Sequence, residues 1–180
     1  MSGTQYGQLA VLTGCRNGEL YALTWDDVDF SSNTIRVSKS YNKRRNETKS
    51  TKAGYWRNIP INSDLKTLLL TLQSSGNGRK EVLPRLREWR HGYQAKVLRG
   101  FCMNLGITSV KFHDLRACFA TQLLQNQIAS ATVMKICGWQ DLDTMARYIR
   151  LAGIDETGAT DKLKFLPERQ AMEHVIPFKT

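Results

Sequence analysis

The sequence predicts a mainly α-helical domain with a small antiparallel β-sheet, an α+β fold. Three observations predict it: apolar residues recur at three- and four-residue spacing through most of the chain, three short strand-like runs cluster between residues 34 and 61, and 180 residues suffice for one domain with a real core. The hydrophobic fraction of 41% is ordinary for a globular fold.

A first apolar run, Tyr6, Leu9, Ala10, Val11 and Leu12, breaks at Thr13-Gly14. A second helical segment follows Arg16 with Glu19, Leu20, Ala22 and Leu23, and Trp25-Asp26-Asp27-Val28-Asp29 closes it with acidic turn-formers. Arg16 thus stands between a glycine-containing turn and a helix start, where free backbone N–H groups also favour an anion. The plainer reading is a surface arginine.

The strand-like runs are Thr34 to Ser38, Glu47 to Lys49 and Trp56 to Ile61, which form a small antiparallel sheet. Around and between them lie Lys39, Lys43, Arg44, Arg45, Lys49, Lys52 and Arg57 against the single acid Glu47. Such one-sided charge favours phosphate contact over an ordinary solvated hairpin. Lys52 precedes Ala53-Gly54, so its long side chain stands at a tight turn and can reach a leaving oxygen as a proton donor. Lys49, three residues away, is an alternative donor.

Ser63 or Asp64 caps a helix with Leu65, Leu68, Leu69 and Leu72 on its apolar side. Residues 74–80 read as a loop, and a long helix from about Arg87 to Leu105 carries Trp89, Val97, Leu98, Phe101 and Cys102, with His91 on its surface. Next come three short helices. Leu115, Phe119, Leu123 and Leu124 mark the first; Ser130 is an N-cap for the second, which Gly138 stops; Asp141 opens the third, with Tyr148 on its last turn. His113 and Arg116 sit at i and i+3 on one face and can address a single group.

A formal charge of +10 and a pI near 9.7 favour a polyanion, with nucleic acid the leading partner and an anionic membrane surface the alternative. No apolar run is long enough to span a bilayer, no lipidation motif is present, and no signal peptide opens the chain, which points to a cytoplasmic protein. Cys15, Cys102, Cys118 and Cys137 lack metal-ligand spacing and read as small reduced residues; neither a disulfide nor a metal site is expected. No P-loop or dinucleotide fingerprint appears, so no cofactor is expected.

Two guanidinium groups, Arg16 and Arg116, can neutralise the non-bridging oxygens of a phosphodiester and favour the more charged pentavalent transition state without a metal. His113 and the indole N–H of Trp139 add hydrogen bonds or assist a proton. The nucleophile is Tyr148, a phenol activated by neighbouring cations. Read alone, each has a bland explanation: core tyrosine, core tryptophan, a His/Arg pair on the surface. Their co-occurrence in a basic chain favours the chemical reading.

Thr13-Gly14-Cys15-Arg16-Asn17-Gly18-Glu19-Leu20, followed by Leu23-Thr24-Trp25-Asp26-Asp27-Val28-Asp29, resembles the first arginine box of the tyrosine recombinases, the phage integrase family. His113-Asp114-Leu115-Arg116 resembles its His-x-x-Arg box, Gly138-Trp139 its Gly-His/Trp position, and Tyr148 its nucleophile. The intervals of 23 residues from Arg116 to Trp139 and 9 from Trp139 to Tyr148 fit the same pattern. Trp139 departs from the histidine many members carry, although tryptophan is an accepted variant.

The resemblance implies the tyrosine recombinase catalytic-domain fold, a transient 3′-phosphotyrosyl link to double-stranded DNA, and a free 5′-hydroxyl. Arg16 and Arg116 would hold the scissile phosphate, with His113 and Trp139 assisting, Lys52 as general acid and Glu19 orienting Arg16. It also implies self-association into a tetrameric synapse, accessory DNA-bending proteins, and a role in integration or excision of a mobile element or prophage. The expected organisation is a catalytic domain over 1–154, a tail over 155–180 that packs on a neighbouring subunit or folds back in cis, and no N-terminal core-binding domain in this chain. A type IB topoisomerase and a non-catalytic DNA-binding relative are the alternatives.

Overall fold

The computed structural model describes residues 3–42, 45–50, 56–83, 93–154, 157–161 and 163. Lys43, Arg44, Lys52, His91, Trp89 and nearly all of the expected tail lie outside the described residues.

Helix α1 (Gly3–Thr13) buries Tyr6, Leu9 and Ala10, and ends where Gly14 takes a left-handed φ of 60°. A side chain cannot replace that glycine's hydrogen, because a Cβ would lie 2.3 Å from the Phe119 ring. Helix α2 (Asn17–Ala22) follows, then a 3₁₀ turn (Trp25–Asp27) and a two-residue strand β1 (Val28–Asp29). The Asp27 carboxylate closes this turn by accepting from the backbone N–H and hydroxyl of Thr24 at 2.9 and 2.7 Å.

The strands depart from the single sheet that the runs suggest. β1, β2 (Thr34–Val37) and β5 (Arg57–Pro60) form one antiparallel sheet in the order β1-β2-β5, while β3 (Lys39–Asn42) and β4 (Glu47–Ser50) form a separate two-stranded hairpin. The middle run therefore pairs with a strand hidden in the basic segment, not with its neighbours. Register is set by burial: Ile35 faces Ile59 and Val37 faces Arg57, and all four are inward.

Helix α3 (Ser63–Ser74) is capped by Asn62, whose side chain accepts the Leu65 N–H at 2.9 Å, one residue earlier than the expected Ser63 or Asp64. Leu65, Leu69 and Leu72 are fully buried, each worth about 1.5–3 kcal/mol relative to exposure. Helix α4 (Tyr93–Asn104) buries Gln94, Leu98 and Cys102, one stripe at four-residue spacing.

Helices α5 (Phe112–Gln125), α6 (Ser130–Cys137) and α7 (Leu142–Ala152) match the three short helices the periodicity predicts. Ser130 is the first residue of α6 and Ala129 precedes it as the cap position. α5–α7 enclose their own apolar cluster of Ala120, Leu124, Val133, Cys137, Met145 and Tyr148. A larger cluster gathers α1, α2, α3 and the sheet. Phe112, Leu115 and Ile136 pack against this larger cluster, so the two halves meet where α5 lies on α1 and the end of α6 on β5. Among the described residues no helix is long and apolar enough to cross a membrane.

Candidate active site

At that seam lies a cavity of about 390 Å³ lined by Arg16, His113, Arg116, Trp139, Tyr148 and their neighbours on α7. Five residues that the sequence nominates from four separate stretches thus share one concavity. Among the described residues three guanidinium groups, Arg16, Arg116 and Arg147, face it against the single lining carboxylate of Asp141. The balance suits an anion.

Arg116 comes from the first turn and a half of α5, whose start is fixed by the Asp114 carboxylate accepting the Lys111 N–H at 2.7 Å. Its side chain is 2% exposed, and it donates to the carbonyl oxygens of Gly14 and Cys137. These two acceptors sit on opposite halves of the molecule, so one guanidinium clamps the seam. Burial, and then the charge of Arg16, push Arg116 below its ordinary range. An anion between the two arginines relieves that repulsion. His113, one turn earlier on α5, is exposed at the mouth.

Arg16 is half exposed, and Glu19 holds it from one turn further on. The Glu19 carboxylate accepts the Arg16 backbone N–H at 2.7 Å and its Nη1 at 3.1 Å. Glu19 and Arg16 are therefore in direct contact.

Gly138, with φ 67°, ends α6 in the left-handed conformation, and the Trp139 N–H returns to the Met134 carbonyl at 3.0 Å. The turn projects the Trp139 ring between two partners. Tyr148 stacks on it with ring centroids 4.4 Å apart and planes 14° apart, and the Arg116 Cζ lies 5.5 Å from its centroid. Tyr148 itself is 6% exposed. It is delivered by α7, whose start is set by Asp141: its carboxylate accepts the Thr144 N–H at 2.7 Å, which holds the acid below its ordinary range. Gly153, φ 59°, ends the helix.

Cys15 and Cys137 are the buried thiols that adjoin this machinery in sequence. Burial pushes Cys15 up to about 11 and Cys137 upward as well, so both stay protonated near neutrality and are poor nucleophiles.

The basic hairpin needs correction. Arg57, grouped with the phosphate-contacting residues, is 8% exposed and turned inward. Its Nη1 and Nη2 donate to the two Glu19 oxygens at 3.0 and 2.7 Å, and its Nε to the Ile136 carbonyl at 2.8 Å. No nitrogen is left for a phosphate on the outer surface. Lys39 is partly exposed and its Nζ lies 2.9 Å from the Asp27 carboxylate, so its charge is already paired. Arg45 is exposed, and Lys49 is exposed beside Glu47 at 3.2 Å. Lys43, Arg44 and Lys52 lie outside the described residues.

Three lining residues escaped the sequence reading, Gln140 beside Trp139 and two more on α7. Arg147 and Thr144 flank the nucleophile candidate on α7. Thr144 lies four residues before Tyr148, a spacing that puts both on one helical face, so that signal was available.

The Glu19–Arg57 pair carries a pH prediction. Burial alone would raise the Glu19 carboxyl, but hydrogen bonds and charge from Arg57, then Arg16, outweigh it and hold the group below its ordinary 4.5. A carboxyl depressed in the folded state stabilises the fold fully above that ordinary value and loses the contribution as pH falls below it. The melting temperature of the chain therefore falls over the interval below about pH 4.5. Glu19→Gln melts lower at neutral pH and changes less across that interval, as thermal unfolding followed by circular dichroism will register.

The chain belongs to the phage integrase family, whose model matches residues 4–153. It is 27% identical over 149 residues to tyrosine recombinase XerD of Lacticaseibacillus casei, covering 81% of this chain and 49% of that protein. It is 24% identical over 153 residues to the integrase of Salmonella phage P22, covering 81% and 38% respectively. The chain thus spans about half or less of the length of these curated relatives. Its fold is that of the Tn1549 transposon integrase solved with transposon right end DNA (TM-score 0.71, 16% identity, 88% of this chain and 58% of that one). The catalytic domain of bacteriophage HP1 integrase is similar too (TM-score 0.60, 20% identity, 89% and 82%).

Proposed function

We propose that this chain is the catalytic domain of a site-specific DNA recombinase that cleaves and rejoins strands through a 3′-phosphotyrosyl intermediate. The observation that carries this reading is the single cavity shared by Tyr148, Arg16, His113, Arg116 and Trp139. Family membership and the DNA complex of the structurally similar Tn1549 integrase support it.

In this reading a scissile phosphate enters between Arg16 and Arg116, which bind its non-bridging oxygens and favour the pentavalent state. The Tyr148 hydroxyl attacks phosphorus, a new P–O bond forms to the phenol oxygen, and the bond to the 5′-oxygen breaks. His113 assists removal of the phenolic proton, and Lys52 donates one to the departing 5′-oxygen. Trp139 keeps the phenol ring aligned and turns its indole N–H toward the phosphate. Rejoining is the reverse step with the 5′-hydroxyl of a partner strand. The exchange conserves the phosphodiester bond energy.

The remaining assignments belong to the same proposal. Double-stranded DNA is the partner, Arg45 and Lys49 with Lys43 and Arg44 face its phosphates, and four protomers form the synapse with accessory DNA-bending proteins. The enzyme works in the cytoplasm on a prophage or mobile element, and the segment from 155 onward packs on a neighbouring subunit or folds back in cis.

A nicked suicide duplex, from which the freed short strand diffuses away, tests the reading. At low salt and high DNA concentration the chain should yield a denaturation-resistant protein–DNA adduct. Intact DNA binding with no adduct contradicts it.

A further inference from the structure

We propose that Arg57 is a positioning residue for strand cleavage, setting Arg16 through Glu19 and the Gly138–Trp139 turn through the Ile136 carbonyl. The inference rests on the recombinase reading above. It starts from a chemical oddity: a guanidinium in a strongly basic hairpin segment is buried and spends its donors on the protein interior.

The Glu19 carboxylate is shared. Its Oε1 accepts from Arg57 Nη1 at 3.0 Å and Arg16 Nη1 at 3.1 Å, and its Oε2 accepts from Arg57 Nη2 and the Arg16 backbone N–H, both at 2.7 Å. Arg16 is half exposed and flexible by chemistry, whereas Arg57 is held by the β2–β5 register opposite Val37. The rigid arginine therefore fixes the carboxylate, and the carboxylate fixes the mobile one.

On its other side Arg57 reaches α6. Nε donates to Ile136, the residue before Cys137, whose carbonyl holds Arg116. The Arg57 Cδ fills the space beside Gly138, where a Cβ would come within 2.9 Å. Gly138 in turn sets Trp139, on which Tyr148 stacks. A single planar fork thus joins the supports of both phosphate-binding arginines and of the nucleophile's stacking partner. Lysine has the same charge but offers one nitrogen, so it cannot satisfy three divergent acceptors.

Arg57→Lys, assayed for single-turnover adduct formation at saturating duplex, should react about 10²-fold more slowly, the scale of a 1 Å misplacement of reacting groups. Half-saturation by DNA should change little. Glu19→Gln approaches the same linkage from the other partner and should also slow the step. In an Arg16→Ala background, Arg57→Lys should add much less than it does alone, because part of its effect runs through Arg16. A loss that is fully additive, or that tracks only the fraction of unfolded protein, makes the role structural and overturns the proposal. So does an unchanged rate.

A second readout does not need activity. In ¹⁵N-correlated spectra of Arg57→Lys, the Arg16 Nε–H and Trp139 indole resonances should shift or broaden while the Trp25 indole stays in place. If the parent chain forms no adduct, the recombinase reading fails, and these resonances alone judge Arg57; both unmoved sinks it.

Discussion

Tyr148→Phe should form no covalent adduct at any time point, while its affinity for duplex DNA and its melting temperature stay close to those of the parent. The stack on Trp139, 4.4 Å between centroids, uses the ring and not the hydroxyl. Phenylalanine keeps that ring, and the loss of one hydroxyl alters stability by less than about 1.5 kcal/mol. What disappears is the one oxygen that the proposed reaction joins to phosphorus. Gel-resolved adduct formation, a filter-binding titration and a thermal melt on the same preparations separate chemistry from fold. Residual adduct in the variant would mean that another side chain attacks, and the burial of Cys15 and Cys137 argues against either thiol.

Arg116→Ala should have the next largest effect, and on two fronts. Removing a transition-state donor of this kind slows the chemical step by about 10²–10³-fold. The same substitution leaves the Gly14 and Cys137 carbonyls without their donor inside the protein, at about 1–3 kcal/mol for each unsatisfied group. Urea unfolding should therefore show a lower midpoint. Arg116→Lys should recover some stability, since an ammonium reaches one carbonyl, yet stay slow because it cannot hold both carbonyls and a phosphate. Equal stability of the alanine variant and the parent would deny the clamp described here.

Most of the helical frame and the lining of the cavity were legible in the sequence because each depends on local spacing. His113 and Arg116 share a helix face, Gly138 stops α6, and Asp141 caps α7, all within a few residues of one another. The sheet was less legible. β1 is two residues long, too short for alternation to register, and β3 carries Lys39, Ser40 and Asn42, a composition that reads as loop. Only the burial of Tyr41, in ring contact with Tyr21 on α2 at 4.3 Å, makes it a strand worth forming.

Arg57 shows the limit most clearly. Its sequence neighbourhood is basic, so local charge assigns it to the surface. Its environment is decided by Glu19, 38 residues earlier, and by the Ile136 carbonyl, 79 residues later. No local pattern encodes either partner. The pairing of Lys39 with Asp27 on the preceding turn is likewise absent from the local charge pattern.

The most direct test of the whole account is the identity of the amino acid that carries DNA. Adduct trapped on a suicide duplex, digested with nuclease and trypsin, should yield the nucleotide on the short peptide released between Arg147 and Arg150, which contains Tyr148. The linkage should be to the 3′ end of the cleaved strand, leaving a free 5′-hydroxyl on the released one. A nucleotide mapped to any other residue, or attached through a 5′-phosphate, would contradict the account.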